Sequence, residues 1–139
     1  MKVALIAMSG VRAHNEELTK LGLTLRGFVE RNETIASLPS LGLLTLAGMR
    51  PDGFDLDYVE IAGIREQKSL PEGYDLVATS TFSAQVAEAY ELADRYKHRN
   101  VPVVMGGLHV SAEPEEALAH CTSVVIGEGE ALCQASWRT

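Results

Sequence analysis

The chain has 139 residues, enough to bury one sizeable core and little beyond it. Hydrophobic residues make up 46% of it and charged residues 22%, the balance of a globular domain, which excludes a disordered or fibrous chain. Twelve Lys and Arg against nineteen Asp and Glu leave a formal charge of −7, with no basic cluster to neutralise a row of phosphates, so no nucleic-acid partner is expected.

The run from Lys2 to Ser9 is continuously apolar and closes on Ser9-Gly10, the form of a central parallel strand buried on both faces. Residues 11–37 are less regular. Within them Leu18, Leu21, Leu25 and Phe28 recur at helical spacing, and so long a connection in a compact domain is expected near a ligand face. Pro39-Ser40 then opens LGLLTLAGM, a helix ending near Gly48 with Leu43, Leu44, Leu46 and Ala47 mostly on its buried side. The turn Pro51-Asp52-Gly53 leads into a second strand through Leu56, Tyr58, Val59 and Ile61. Residues 63–73 read as a loop, and Leu76–Thr81 as a third strand.

Ser83 is placed to cap a helix over 84–98, whose inner face is Val86, Ala89, Tyr90, Ala93 and Tyr96. A fourth strand, Val101–Met105, ends in Gly106-Gly107, where the backbone can turn sharply or approach a ligand closely. Pro114 suits the first turn of another helix, with Glu115 and Glu116 at its positive end and Ala117, Leu118 and Cys121 facing inward. Ser123–Ile126 is a fifth strand running into GEGE. Strand and helix alternate throughout, so the expected fold is a Rossmann-like (flavodoxin-like) α/β three-layer sandwich around a mostly parallel five-stranded sheet.

The two cysteines, Cys121 and Cys133, match neither a zinc pattern nor a disulfide framework, which fits a reducing, cytoplasmic compartment. The opening apolar run is too short for a signal peptide and is interrupted by Arg12, and no stretch approaches the roughly 20 apolar residues of a membrane span.

In an open parallel sheet, ligands bind outside the carboxyl ends of the strands. Four strand ends here carry small or polar residues: Ser9-Gly10, Ser80-Thr81-Phe82-Ser83, Gly106-Gly107-Leu108-His109 and Gly127-Glu128-Gly129-Glu130. Each alone reads as a turn; together they favour a site. No GxGxxG dinucleotide turn, GxxxxGK[ST] phosphate loop or GxSxG nucleophile turn is present. His109 is positioned to hydrogen-bond a ligand, coordinate a metal or serve as an ordinary polar loop residue, and Glu128 and Glu130 to meet hydroxyls, act as acids and bases, or simply be solvated. His14, His98 and His120 read as structural, the last two near helix ends. No residue is assigned as a metal ligand or as catalytic.

PSLGLLTLAGM, the strand end STFS, VPVVMGGLHVSAEPEEALAH and SVVIGEGE, in this order, resemble the amino-terminal cobalamin (B12)-binding domain of cobalamin-dependent radical SAM proteins across nearly the whole chain. The resemblance implies a corrinoid, with its cobalt, lying across the carboxyl edge of the sheet, and by position implicates Ser9, Gly10, Ser80, Thr81, Phe82, Gly106, Gly107, His109, Gly127 and Glu128 in holding it. The DxHxxG motif, whose histidine ligates cobalt in mutase-type domains, is absent after the first strand. The CxxxCxxC triad that holds a [4Fe–4S] cluster is absent too, so iron–sulfur and S-adenosylmethionine chemistry would belong to a catalytic barrel this chain lacks.

The resulting expectation is a cobalamin-binding-like domain over 1–130, with 131–139 the start of a truncated linker or helix. Such a domain would hold a corrinoid for methyl transfer or a related radical reaction by a radical SAM catalytic domain in cis or trans. Two other readings compete: an interaction module that docks on a radical SAM partner without corrinoid, and a stand-alone enzyme using His109 and Glu128 as acid and base.

Overall fold

The computed structural model describes residues 1–8, 21, 40–65 and 67–130. The expected helix through Leu18, Leu25 and Phe28, the candidate residues Ser9 and Gly10, and the tail 131–139 lie outside the described residues.

Five strands form one sheet: β1 (Lys2–Met8), β2 (Asp55–Ile61), β3 (Leu76–Ser80), β4 (Val103–Gly106) and β5 (Ser123–Val124). Their order is β2-β1-β3-β4-β5, and every pairing is parallel. This is the Rossmann-like, flavodoxin-type arrangement expected from the alternation of elements. After Lys2, β1 is apolar without interruption because it lies in the interior with both faces covered, Val3 through Met8 all being buried.

The helices divide between the two faces. α1 (Leu41–Gly48) covers Val3, Leu5 and Ala7 through Leu43, with Leu46 and Ala47 packed alongside. On the other face α2 (Val86–Lys97), α3 (Leu108–Ala112) and α4 (Pro114–His120) cover Ala4, Ile6, Met8, Val77, Val103 and Met105. α2 contributes Ala89, Tyr90, Leu92, Ala93 and Tyr96, a stripe at spacings of three and four that leaves its charged residues outside. α3 and α4 contribute Val110 and Ala117. The helix before β2 and the helix after β3 lie on opposite faces, so the strand order has its switch point between the carboxyl ends of β1 and β3, where an open sheet of this kind forms its ligand crevice.

Three local expectations are corrected. Leu44 and Leu118 are exposed, at 38% and 47%, not buried. Both lie on short helices with apolar residues around much of the circumference, so the pattern carries little direction. Ser83 is not the cap of α2: a 3₁₀ turn, Ser83–Gln85, intervenes, and α2 starts after Gln85 without a side-chain cap bond. Ser40, by contrast, does cap α1 by accepting from the Leu43 amide.

The ends of β3 and β4 meet backbone to backbone. The Thr81 amide donates to the Gly106 carbonyl at 3.1 Å, and Gly107 follows with φ 106° and ψ −179°, a region essentially closed to other residues. A Cβ on Gly107 would stand 2.5 Å from the Thr81 carbonyl oxygen and 2.8 Å from its nitrogen, whereas one on Gly106 would stand 3.5 Å from the Val125 Cβ, an ordinary contact.

Gly107→Ala is therefore expected to cost about 3 kcal/mol or more in urea unfolding, with Gly106→Ala much milder. Thr79, 2% exposed under α2, keeps its hydroxyl without a hydrogen-bond partner among the described residues. Replacing it with the near-isosteric Val removes that unsatisfied group, and Thr79→Val is expected to raise stability by about 1 kcal/mol in the same measurement.

Candidate functional site

A parallel sheet puts every strand's carboxyl end on one edge, and side chains from the segments that follow tie these ends together. Gln85 reaches back across the crevice, its Nε2 donating to the Met8 carbonyl at the end of β1, 2.9 Å away. Ser83, two residues earlier, lies 3.0 Å from His109 Nδ1 on α3. From the same short helix Ser111 accepts the Gly127 amide through its Oγ at 2.9 Å. His109 and Ser111 are two residues apart, which places them on opposite sides of a helix, with Val110 between them turned into the core. α3 thus connects the loop after β3 to the loop after β5.

His109 belongs to α3 and is not a free loop residue. Its side chain is 16% exposed, and its Nε2 faces Glu116 Oε1 on α4 at 3.4 Å. An ionised carboxylate only accepts, so in the neutral ring Nε2 carries the proton toward Glu116 and Nδ1 accepts from the Ser83 hydroxyl. Tyr90 of α2 packs edge-on against His109, with ring centroids 6.3 Å apart, and stacks flat on His120 at 4.2 Å. Asp94 lies 2.9 Å from His120 Nδ1.

Burial first, and the nearby Glu116 carboxylate second, push the Tyr90 hydroxyl up to about 12, although Glu116 closes no well-formed hydrogen bond to it. Glu116 is in turn held below the ordinary carboxylate range, by the Tyr90 hydroxyl first and His109 next. A depressed carboxylate stabilises the fold above its ordinary pKa, and that contribution is lost as pH falls through the lowered value.

The other sequence-predicted residues are placed as follows. Ser80 and Gly106 are half-buried at paired positions of β3 and β4. Thr81 is buried, its hydroxyl donating to the Phe82 carbonyl, so it faces inward and not toward the edge. Phe82 projects outward at 61% exposure, as do Leu108 at 73% and Ile126 at 54%, each just beyond a different strand. Gly127, with φ 77°, has open space around its α-carbon, and Glu128 is exposed. The carboxylate that meets His109 is Glu116, which sequence reasoning assigned to the start of a helix, and not Glu128.

Ser83 was noted only as part of the strand end Ser80–Ser83 and as a helix cap, and Gln85 and Ser111 were not singled out as site-forming. Their partners lie 26, 77 and 16 residues away, beyond any local pattern. Among the described residues no group of three His, Cys, Asp or Glu side chains converges to hold a metal ion, and no helix is long and apolar enough to cross a membrane. A groove of about 180 Å³ between Tyr74, Tyr96, Pro71 and Val101 lies at the opposite, amino edge of the sheet.

The carboxyl edge therefore combines the close approach of Gly107 to the Thr81 backbone, small residues at the strand ends and three outward apolar side chains. That combination fits a broad, partly apolar ring with polar substituents. The family described as the B12 binding domain matches residues 33–136. Among curated proteins, the chain is 34% identical over 93 residues to bacteriochlorophyllide d C-8(2)-methyltransferase of Chlorobaculum tepidum. It is 33% identical over 99 residues to bacteriochlorophyllide d C-12(1)-methyltransferase of the same organism. These alignments cover 67% and 69% of this chain but 20% and 21% of the relatives, so the chain spans about a fifth of their length. No solved structure gives a significant match. With its fold, its glycine-lined carboxyl edge and a match over most of its length, the chain belongs to the B12-binding domain family.

Proposed function

We propose that this domain holds cobalamin across the carboxyl edge of its sheet and presents it to a radical SAM catalytic unit, in cis or in trans, for methyl transfer or a related radical reaction. The observation that carries the reading is the edge itself, where the switch point of the strand order between β1 and β3 and the exposed Phe82, Leu108 and Ile126 fall on one side of the sheet. The relatives' names as methyltransferases support the reaction class. The corrinoid, when bound, supplies a cobalt centre that carries the transferred group.

The chain's own residues bind and orient. Ser80 and the Gly127 carbonyl supply polar groups for the corrinoid side chains, Gly106 and Gly107 let the ends of β3 and β4 close against each other beneath the ring, and Phe82, Leu108 and Ile126 offer apolar contact to its periphery. Ser9 and Gly10, which follow β1, complete the proposed set, with Glu128 at the rim. The domain ends near residue 130 in this reading, and 131–139 lead toward the catalytic unit. That unit would bring the iron–sulfur cluster and S-adenosylmethionine, in a cytoplasmic setting consistent with sparse cysteine use.

The test is incubation of the purified chain with hydroxocobalamin, desalting and an absorbance spectrum. Retention of one corrinoid per chain is the expected outcome; a colourless protein overturns the binding claim and favours a docking role on a radical SAM partner.

A further inference from the structure

His109 sits where a cofactor contact is expected, yet both of its ring nitrogens face groups of the protein itself. Nδ1 lies 3.0 Å from Ser83 Oγ and Nε2 3.4 Å from Glu116 Oε1. The edge-on Tyr90 ring packs against the imidazole from α2. A ring so held has no lone pair free to turn toward the sheet edge.

What His109 does hold is the loop after β3. That loop is fixed at its base by the Thr81 amide on the Gly106 carbonyl and at its far end by Gln85 on the Met8 carbonyl. Between these points Phe82, Ser83 and Ala84 are all exposed, and the Ser83 hydroxyl is the tie across to α3. Phe82 is extended, with φ −97° and ψ 163°, and its side chain is 61% exposed beside the end of β3. The Phe82 carbonyl accepts from the Thr81 hydroxyl and the Gln85 amide within the turn itself, so releasing Ser83 leaves the turn held only by its own local bonds.

The geometry points to His109 as a positioning residue that clamps the β3–α2 loop through Ser83, braced from behind by Glu116, and not as a ligand to cobalt or a direct contact of the corrinoid. The assignment rests on the corrinoid reading for its purpose, while the clamp is a property of the cofactor-free protein and is measurable there. α3 is suited to the task because Gly107 fixes its first turn against Thr81, so the imidazole is carried on backbone that has little freedom to shift.

Amide hydrogen exchange on the cofactor-free chain tests the clamp directly. His109→Ala and Ser83→Ala are each expected to speed exchange of the Gln85 and Val86 amides, which donate to the Phe82 and Ser83 carbonyls, by roughly tenfold, and the double variant no further, because both remove one shared hydrogen bond. His109→Asn, whose amide reaches the place of Nδ1, is expected to restore slow exchange; His109→Gln, which reaches the place of Nε2, is not. In hydroxocobalamin titrations the same variants are expected to weaken binding by roughly tenfold with the visible bands of the bound corrinoid unmoved.

Unchanged exchange in both single variants, or additive effects in the double variant, overturns the assignment. A His109-dependent shift of the corrinoid bands overturns it as well, since that shift reports direct ligation. A wild-type chain that retains no corrinoid while showing the exchange pattern above sinks the proposed function and leaves the clamp standing, so the two failures are distinguishable.

Discussion

The close approach of two backbones at the ends of β3 and β4 is the constraint on which the rest of the edge depends. Gly107 lies so near Thr81 that no side chain fits between them, and the Thr81 amide is bonded to the Gly106 carbonyl. That contact starts α3 at a fixed point and angle. From there His109 meets Ser83 on one side and Ser111 meets the Gly127 amide on the other. The glycine is thus less a hinge than a spacer of zero thickness, and the edge behaves as one surface because of it.

Behind this surface, the aromatic and acidic groups of α2 and α4 form a second layer of support. The Tyr90 ring lies flat on His120, whose Nδ1 faces Asp94, while its edge meets His109 and its hydroxyl sits near Glu116. α2 and α4 are joined through side chains that also orient the imidazole at the edge. The five-residue helix α3 has few turns of its own to stabilise it, so its position comes from these neighbours and from Val110 in the core. Order at the carboxyl edge is inherited from packing one layer deeper.

The strands were legible because burial on both faces leaves unbroken apolar runs such as those of β1 and β4, and the alternation with helices implied a parallel sheet. The glycine pair after β4 was legible as a place of close approach, although its partner, the Thr81 backbone, was not. Leu44 and Leu118 were misplaced because a short helix with apolar residues on several sides does not announce which side is covered. Ser83 was read as a cap since it precedes an amphipathic stripe, but a 3₁₀ turn displaces it and turns its hydroxyl to His109. The His109–Glu116 pair spans the break between α3 and α4, so no helical periodicity reports it. Residues 9–39 and 131–139, which include Ser9 and Gly10, lie outside the described residues apart from Leu21.

The strand order has a consequence for how the chain is made. β1 is the strand that both β2 and β3 pair with, and it is synthesised before either. About fifty residues separate it from β2, which at ribosomal speeds of roughly 5–20 residues per second leaves β1 without either neighbour for several seconds. During that interval seven residues of almost wholly apolar chain, with hydrogen-bonding groups free along both edges, are shielded by no part of their own sheet. The element most deeply enclosed in the finished domain is the one longest exposed during its birth, and yield in cells should respond more sharply to chaperone supply and translation rate than the stability of the folded state alone would suggest.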